Sequence, residues 1–256
     1  MNATAPVLET RGLTIRFGGH VAVNAVTCAF LPGSVTAIVG PNGAGKTTYF
    51  NLISGQLSAT AGQVFVKGED VTRLAASART RRGLGRAFQL TNLFPNLTVF
   101  ENVRIAVQAR AGAGLSLLTL WTDRRDLAAA AETILARVRL ADKRGTVAGA
   151  LPHGDQRKLE VALLIALEPD VFMFDEPTAG MSVDEVPNVL EIIGELKRDA
   201  AKTILLVEHK MDVVRSLAER IIVLHNGALV ADGPPTQVMA SAIVREAYLG
   251  QELGDD

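Results

Sequence analysis

The stretch VTAIVGPNGAGKTTYFNLIS, residues 35–54, decides the fold. It opens on VTAIV (35–39), a short apolar, β-branched run with no polar face, the pattern of a strand buried on both sides. It closes on a run from Lys46 to about Ser54 that reads as a helix. Between them, Gly40-Pro41-Asn42-Gly43-Ala44-Gly45-Lys46-Thr47 fits G-x-x-x-x-G-K-[ST] at every fixed position. Glycines let the backbone curl until successive N–H groups point inward at phosphate oxygens. The helix behind adds its unpaired N–H groups and the positive end of its dipole. Lys46 is then placed to neutralise the β and γ phosphates, and Thr47 to offer an oxygen to Mg²⁺.

The charge pattern around this stretch points the same way. From Phe17 to Val66, 50 residues, Lys46 is the single Asp, Glu, Lys or Arg, where the chain's 21% charged fraction predicts about ten. Such a segment is membrane, core or a special site. Gly18, Gly19, Pro32, Gly33, Gly40, Pro41 and Gly43 interrupt it too often for a spanning helix, which needs about 18 consecutive apolar residues. The uncharged run 111–122 is too short, and MNATAPVLETR lacks the basic and apolar regions of a signal peptide. A buried sheet with one cation reserved for a polyanion remains.

The whole chain fits that reading. Its 256 residues, 48% of them hydrophobic, suffice for a sizeable core and exclude a disordered or collagen-like chain. With 26 Lys and Arg against 27 Asp and Glu, the net charge is −1, a poor balance for holding nucleic acid by bulk charge. The one cysteine, Cys28, cannot form an internal disulfide, which fits a reducing, cytosolic compartment.

Outward from 35–54, residues 7–17, 21–31 and 63–67 read as strands. The character changes at about residue 90. Residues 98–110, 125–140 and 156–167 form a helical block running to about 168. After it, strands at 171–175, 203–207 and 220–225 alternate with helices at 184–198 and 210–218, and Gly227 marks a hairpin turn before ALVADG. Alternation of this kind predicts an α/β fold with mainly parallel sheet and helical crossovers.

The run Val171-Phe172-Met173-Phe174-Asp175-Glu176 is a second site candidate, an apolar strand that ends in two acids. Acids at the C-terminal end of a strand reach the crevice where open α/β sheets bind ligands. Asp175 suits Mg²⁺ through its water shell, and Glu176 is placed to accept a proton from an attacking water.

With these elements in order, the chain resembles an ATP-binding cassette (ABC) ATPase from its first strand to about residue 250. Residues Gly40–Thr48 resemble the Walker A loop, Val171–Glu176 the Walker B strand, and Ala179–Ser182 the D-loop. Gln89, in GRAFQLTNLFPNLTVFENV, resembles the Q-loop glutamine, and His209 the switch histidine. Phe17 lies where the family places an aromatic on the adenine. The resemblance implies a P-loop core with an N-terminal antiparallel β subdomain and an α-helical insert. It divides the chain into 1–89 (core, first part), 90–168 (helical subdomain with the signature motif) and 169–256 (core, second part). It also implies that Gly40, Pro41, Asn42, Gly43, Ala44, Gly45, Lys46, Thr47 and Thr48 hold ATP. Thr47, Gln89 and Asp175 would hold Mg²⁺. Glu176 would act as base, with His209 on the γ-phosphate and Gln89 linking the ion to the helical block.

The signature segment Leu151-Pro152-His153-Gly154-Asp155-Gln156-Arg157 departs from LSGGQ. In the family the serine hydroxyl and second glycine cap the γ-phosphate held by the opposite subunit. Pro152 offers neither a hydroxyl nor an N–H, which leaves Gly154 for the partner's ATP. The D-loop ends in Ser182 instead of Asp. Together the departures predict an asymmetric heterodimer with unequal sites.

Within the family, GLGRAFQ (83–89), LSLLTLW (115–121), GDQRKLEVA (154–162), DEPTAGMS (175–182), VEHKMDVV (207–214) and REAYLG (245–250) resemble the ATPases of branched-chain amino acid uptake. Lipopolysaccharide-export and urea-uptake ATPases share much of this pattern. The implied partners are a second ATPase subunit in a head-to-tail dimer, integral membrane permease subunits and, indirectly, a solute-binding protein, with no nucleic acid. The implied place is the cytoplasmic face of the inner membrane. The rival readings are a non-transport ABC ATPase and another P-loop enzyme such as a small-molecule kinase.

Overall fold

The computed structural model describes residues 5–87, 93–112, 125–182, 184–198 and 201–241. The chain divides into two compact units, one of residues 1–86, 170–176 and 196–256, the other of residues 87–169 and 177–195.

The first unit is built on strand β3 (Val35–Val39), buried along its whole length. It lies in a six-stranded sheet of order β10-β9-β3-β8-β7-β6, with β6 at Leu84–Ala87, β7 at Val171–Asp175, β8 at Thr203–Val207, β9 at Arg220–His225 and β10 at Ala228–Gly233. β3 pairs in parallel with both β8 and β9, and β7 pairs in parallel with β8. β9 and β10 form the antiparallel hairpin. Successive side chains on a strand point to opposite faces. Accordingly Ile38, Met173, Leu205, Val207, Ile222 and Leu224 enter one apolar cluster, while Ala37, Val39, Ile221 and Val223 enter another. That is why the central strands read as unbroken apolar runs.

The first cluster is shared with helix α1 (Lys46–Ser54) and with a second sheet. This sheet has four strands in the order β2-β1-β4-β5, where β1 is Leu8–Phe17, β2 His20–Phe30, β4 Ala61–Val66 and β5 Glu69–Asp70. All its pairings are antiparallel. Tyr49, Phe50, Leu52 and Ile53 of α1 are fully or almost fully buried there. Each such side chain stabilises the fold by about 1.5–3 kcal/mol. The second cluster is covered by helix α7 (Met211–Leu217), through Val214, and helix α8 (Pro235–Ala240), through Val238. Arg79, on the short helix α2 (Ala76–Thr80), is also buried, and donates to the carbonyls of Leu52, Ile53, Thr72 and Leu74. Two of those carbonyls belong to the last turn of α1, where the helix dipole favours a cation.

The second unit is helical. Helices α3 (Val99–Arg110), α4 (Arg125–Arg137) and α5 (His153–Ala166) pack on one another, joined by the first ten residues of helix α6 (Val186–Lys197). Thr98 caps α3 through a reciprocal capping box with Glu101. The start of α5 lies at His153, three residues before the predicted 156. Pro152 is its N-cap, a position where the missing N–H costs nothing. α4 stops at Arg137, short of the predicted 140, and Arg139 just beyond takes a left-handed φ of 60°. Residues 177–195 belong with this helical unit. The segment 115–121, the ending 245–250 and Gln89 lie outside the described residues.

Candidate active site

Sheet register brings the site together. Asp175 pairs level with Val207, and Val207 level with Ile38. The chain after each strand therefore leaves the sheet at the same end, carrying Glu176, His209 and the loop from Gly40. That end is the carboxyl edge of the parallel strands, where α/β sheets bind ligands. A pocket of about 260 Å³ opens there. It is lined by residues 42–48, Glu176 and His209, with His20 and Ala22 of β2.

The loop conformation demands glycine at two points. At Gly40, a Cβ would stand 2.1 Å from the carbonyl oxygen of Leu224, and at Gly45, with φ 94°, 2.4 Å from that of Ala22. Gly45 is the N-cap of α1 and gives it no side-chain cap, nor does any acid occupy the first turn. The first N–H groups of α1 are thus left for an anion at the positive end of the helix dipole. Lys46 is buried and donates to the carbonyls of Gly40 (2.7 Å) and Pro41 (2.8 Å). Burial pushes its ammonium below the ordinary lysine value, opposed first by Glu176 and then by Asp175.

Glu176 takes a left-handed φ of 50°, uncommon for a residue with a side chain. Its N–H donates to Val207 (2.9 Å), which continues the β7–β8 pairing one residue beyond the strand. Its Oε1 lies 2.8 Å from Nε2 of His209. Both groups are partly open, with side-chain exposures of 29% and 40%. Buried Glu208 accepts from the N–H groups of His209 (2.9 Å) and Lys210 (3.2 Å), which fixes the backbone that carries the histidine.

Asp175 behaves differently from its neighbour. Its side chain is fully buried, and its Oδ2 accepts from Nη2 of Arg86 at 2.8 Å. Oδ1 is buried with no hydrogen-bond partner. Burial pushes this carboxyl up, and Arg86 opposes that. A buried acceptor without a partner is costly, so Oδ1 fits a group that later receives a donor such as metal-bound water. The uncapped helix start and the Gly40–Gly45 cradle likewise fit a phosphate chain.

Phe17, at the end of β1, is 51% exposed beside the Gly18-Gly19 turn. It pairs across the hairpin with His20, which lines the pocket, but is not itself a lining residue. Gly154, in the helical unit, lies in the first turn of α5. Sequence reasoning singled out neither Arg86 nor His20. Arg86 carries no local signal, because LGRA has too little apolar periodicity to mark a strand and so to flag a cation within it.

The ABC transporter family profile matches residues 23–179. The chain is 38% identical over 251 residues to the high-affinity branched-chain amino acid transport ATP-binding protein LivG of Escherichia coli (strain K12), covering 96% of this chain and 98% of the relative. It is 37% identical, with the same coverage, to the corresponding protein BraF of Pseudomonas aeruginosa. It is 29% identical over 246 residues to the lipopolysaccharide export system ATP-binding protein LptB of E. coli (strain K12), covering 96% of this chain and 98% of that one. Among solved structures, an ATP-binding cassette of an ABC transporter in its ADP conformation superposes with a TM-score of 0.82 at 27% identity, covering 96% of this chain and all of that one. The α/β architecture and the match across the phosphate loop and the acidic strand end agree: this chain belongs to the ABC transporter family of ATP-binding cassettes.

Proposed function

We propose that this chain is the ATP-hydrolysing subunit of a transporter for branched-chain or similar hydrophobic amino acids, working as one of two ATPase subunits beneath membrane-embedded permease subunits. The observation that carries the reading is the Glu176–His209 pair at 2.8 Å on the rim of the pocket formed by residues 42–48. A carboxylate oriented by an imidazole at the edge of a phosphate cradle is arranged to take a proton from attacking water.

In this reading Gly40–Thr48 cradle the phosphates, and Lys46 exchanges its loop carbonyls for phosphate oxygens. Phe17 receives the adenine. Thr47, Gln89 and Asp175 would hold Mg²⁺, which supplies charge neutralisation at the β and γ phosphates. Glu176 accepts the proton of the attacking water, and His209 holds Glu176 and contacts the γ-phosphate. Gly154 faces the nucleotide of the second subunit. The nucleotide-binding unit and the helical unit (residues 87–169 and 177–195) then serve as ATPase core and coupling element. Among the described residues no helix is long and apolar enough to cross a membrane, in keeping with dependence on separate permease subunits.

The test is uptake of radiolabelled leucine by cells whose own copy of this gene is deleted, complemented with wild-type or Glu176→Gln chain. Uptake restored only by wild type supports the reading. Normal leucine uptake in the deletion strain, with defective lipopolysaccharide export, would move the assignment to the export ATPases.

A further inference from the structure

Arg86 has no role in the reading above, yet its guanidinium makes four side-chain hydrogen bonds beside the site. Its Nη2 donates to Oδ2 of Asp175 at 2.8 Å. Its Nη1 donates to Oδ1 of Asn51 (2.5 Å), Oγ of Ser54 (3.0 Å) and Oε1 of Gln56 (3.1 Å). The guanidinium lies over the ring of Phe50, 5.6 Å from its centroid. The pair is enclosed, with side-chain exposures of 5% for Arg86 and 0% for Asp175.

Two features turn this from packing into geometry that concerns the metal. Asn51 follows Thr47 by four residues on α1, so both lie on one face of that helix. Arg86 therefore ties Asp175 to the helix face that presents the Thr47 hydroxyl. The guanidinium also engages only one carboxylate oxygen, leaving Oδ1 buried and without a partner. The planar fork of arginine fixes both directions at once, which a lysine ammonium cannot do.

We propose that Arg86 is a positioning residue for the metal that accompanies the nucleotide, locking Oδ2 of Asp175 to the Thr47 face of α1 so that Oδ1 alone is presented to metal-bound water. The inference rests on the nucleotide reading of the pocket and adds a residue to it. Outer-shell partners of this kind hold metal ligands in place without touching the ion.

The test uses the full chain, Mn²⁺ as the probe and adenylyl imidodiphosphate as a non-hydrolysable nucleotide. Bound Mn²⁺ is read by electron paramagnetic resonance, and metal-free nucleotide affinity is measured separately in EDTA. Arg86→Met is expected to raise the Mn²⁺ concentration for half-saturation by about tenfold or more, the usual effect of losing an outer-shell partner. Affinity in EDTA should stay within about twofold, because the phosphate cradle is untouched. Arg86→Lys, with the charge but not the fork, should recover part of the loss. A folded Arg86→Met chain with wild-type Mn²⁺ half-saturation overturns the proposal. So does a parallel fall of metal-free affinity, which would make Arg86 a packing residue. If Arg86→Met does not fold, Arg86→Lys decides alone, and unchanged Mn²⁺ binding overturns the proposal. A wild-type chain that binds neither metal nor nucleotide overturns the functional reading and this proposal with it. Wild-type binding with indifferent Arg86 variants overturns this proposal only.

Discussion

The carboxylate of Glu185 lies against Gly154, so close that a Cβ on residue 154 would stand 2.1 Å from Oε1. Glu185 is held there by Ser182, whose Oγ (3.0 Å) and N–H (3.2 Å) both donate to Oε2. Ser182, the residue that replaces the expected aspartate of the D-loop, thus links that loop to the start of α5 within the helical unit. Gly154→Ala is expected to destabilise the fold by about 1–3 kcal/mol, the usual cost of overpacking. Glu185→Ala should relieve the clash, so the double variant should lose less stability than the two single losses added together. Urea unfolding of the three variants measures that coupling, and strict additivity would contradict the contact.

Glu176→Gln should keep nucleotide affinity and lower turnover by a factor of about 10²–10⁴, the range for losing a general base. Lys46→Ala should weaken nucleotide binding itself, since it removes the buried cation of the cradle. Phosphate release and equilibrium nucleotide binding, measured on the same preparations, separate the two effects. A Glu176→Gln chain with near-normal turnover would remove this residue from the chemistry.

Pro152 is the N-cap of α5 and provides no side-chain cap. Pro152→Ser should stabilise α5 by about 1 kcal/mol through a new cap. In the proposed head-to-tail dimer the same hydroxyl would become a donor to the opposite nucleotide, and a hydrogen bond to a charged group contributes about 1.5–3 kcal/mol. Turnover should then rise about tenfold or more at the site it faces. A higher unfolding midpoint with flat turnover would confine the residue to capping and make the two sites equal in this respect.

Cys28 sits in the core between the two sheets, and burial pushes its thiol up to about 11. The folded state therefore keeps the proton that the unfolded chain releases near pH 9. The stabilisation is fully present below about pH 9 and is lost as pH rises toward 11, by about 2–3 kcal/mol. Cys28→Ala should flatten that part of the stability–pH curve. Denaturant melts of both chains from pH 8 to pH 11 measure the difference, and identical slopes would contradict it. The folded thiol should also resist aromatic disulfide reagents at pH 8.

Much of this molecule can be read along the chain because local rules and tertiary demands coincide. The run 35–39, the helix 46–54, and the strands 171–175, 203–207 and 220–225 stand at those bounds. Each is either buried on both faces or begins at an obligatory glycine turn, so composition alone marks it. The start of the helix at His153 has no mark in the sequence, since a proline N-cap carries none of the usual capping signal. The short β6 and α2 carry too little apolar periodicity to stand out.

The amino-acid sequence by itself determined the phosphate loop, its single cation and the acids at the end of β7. Those features depend on spacing of a few residues and on side chains with one chemical use. Tertiary structure alone decided that Arg86 meets Asp175 across 89 positions of chain, that His209 meets Glu176, and that Glu185 rests on Gly154. Such contacts follow from strand register and helix packing, where a shift of one residue turns a side chain to the other face. No local pattern records which distant partner a buried charge will find.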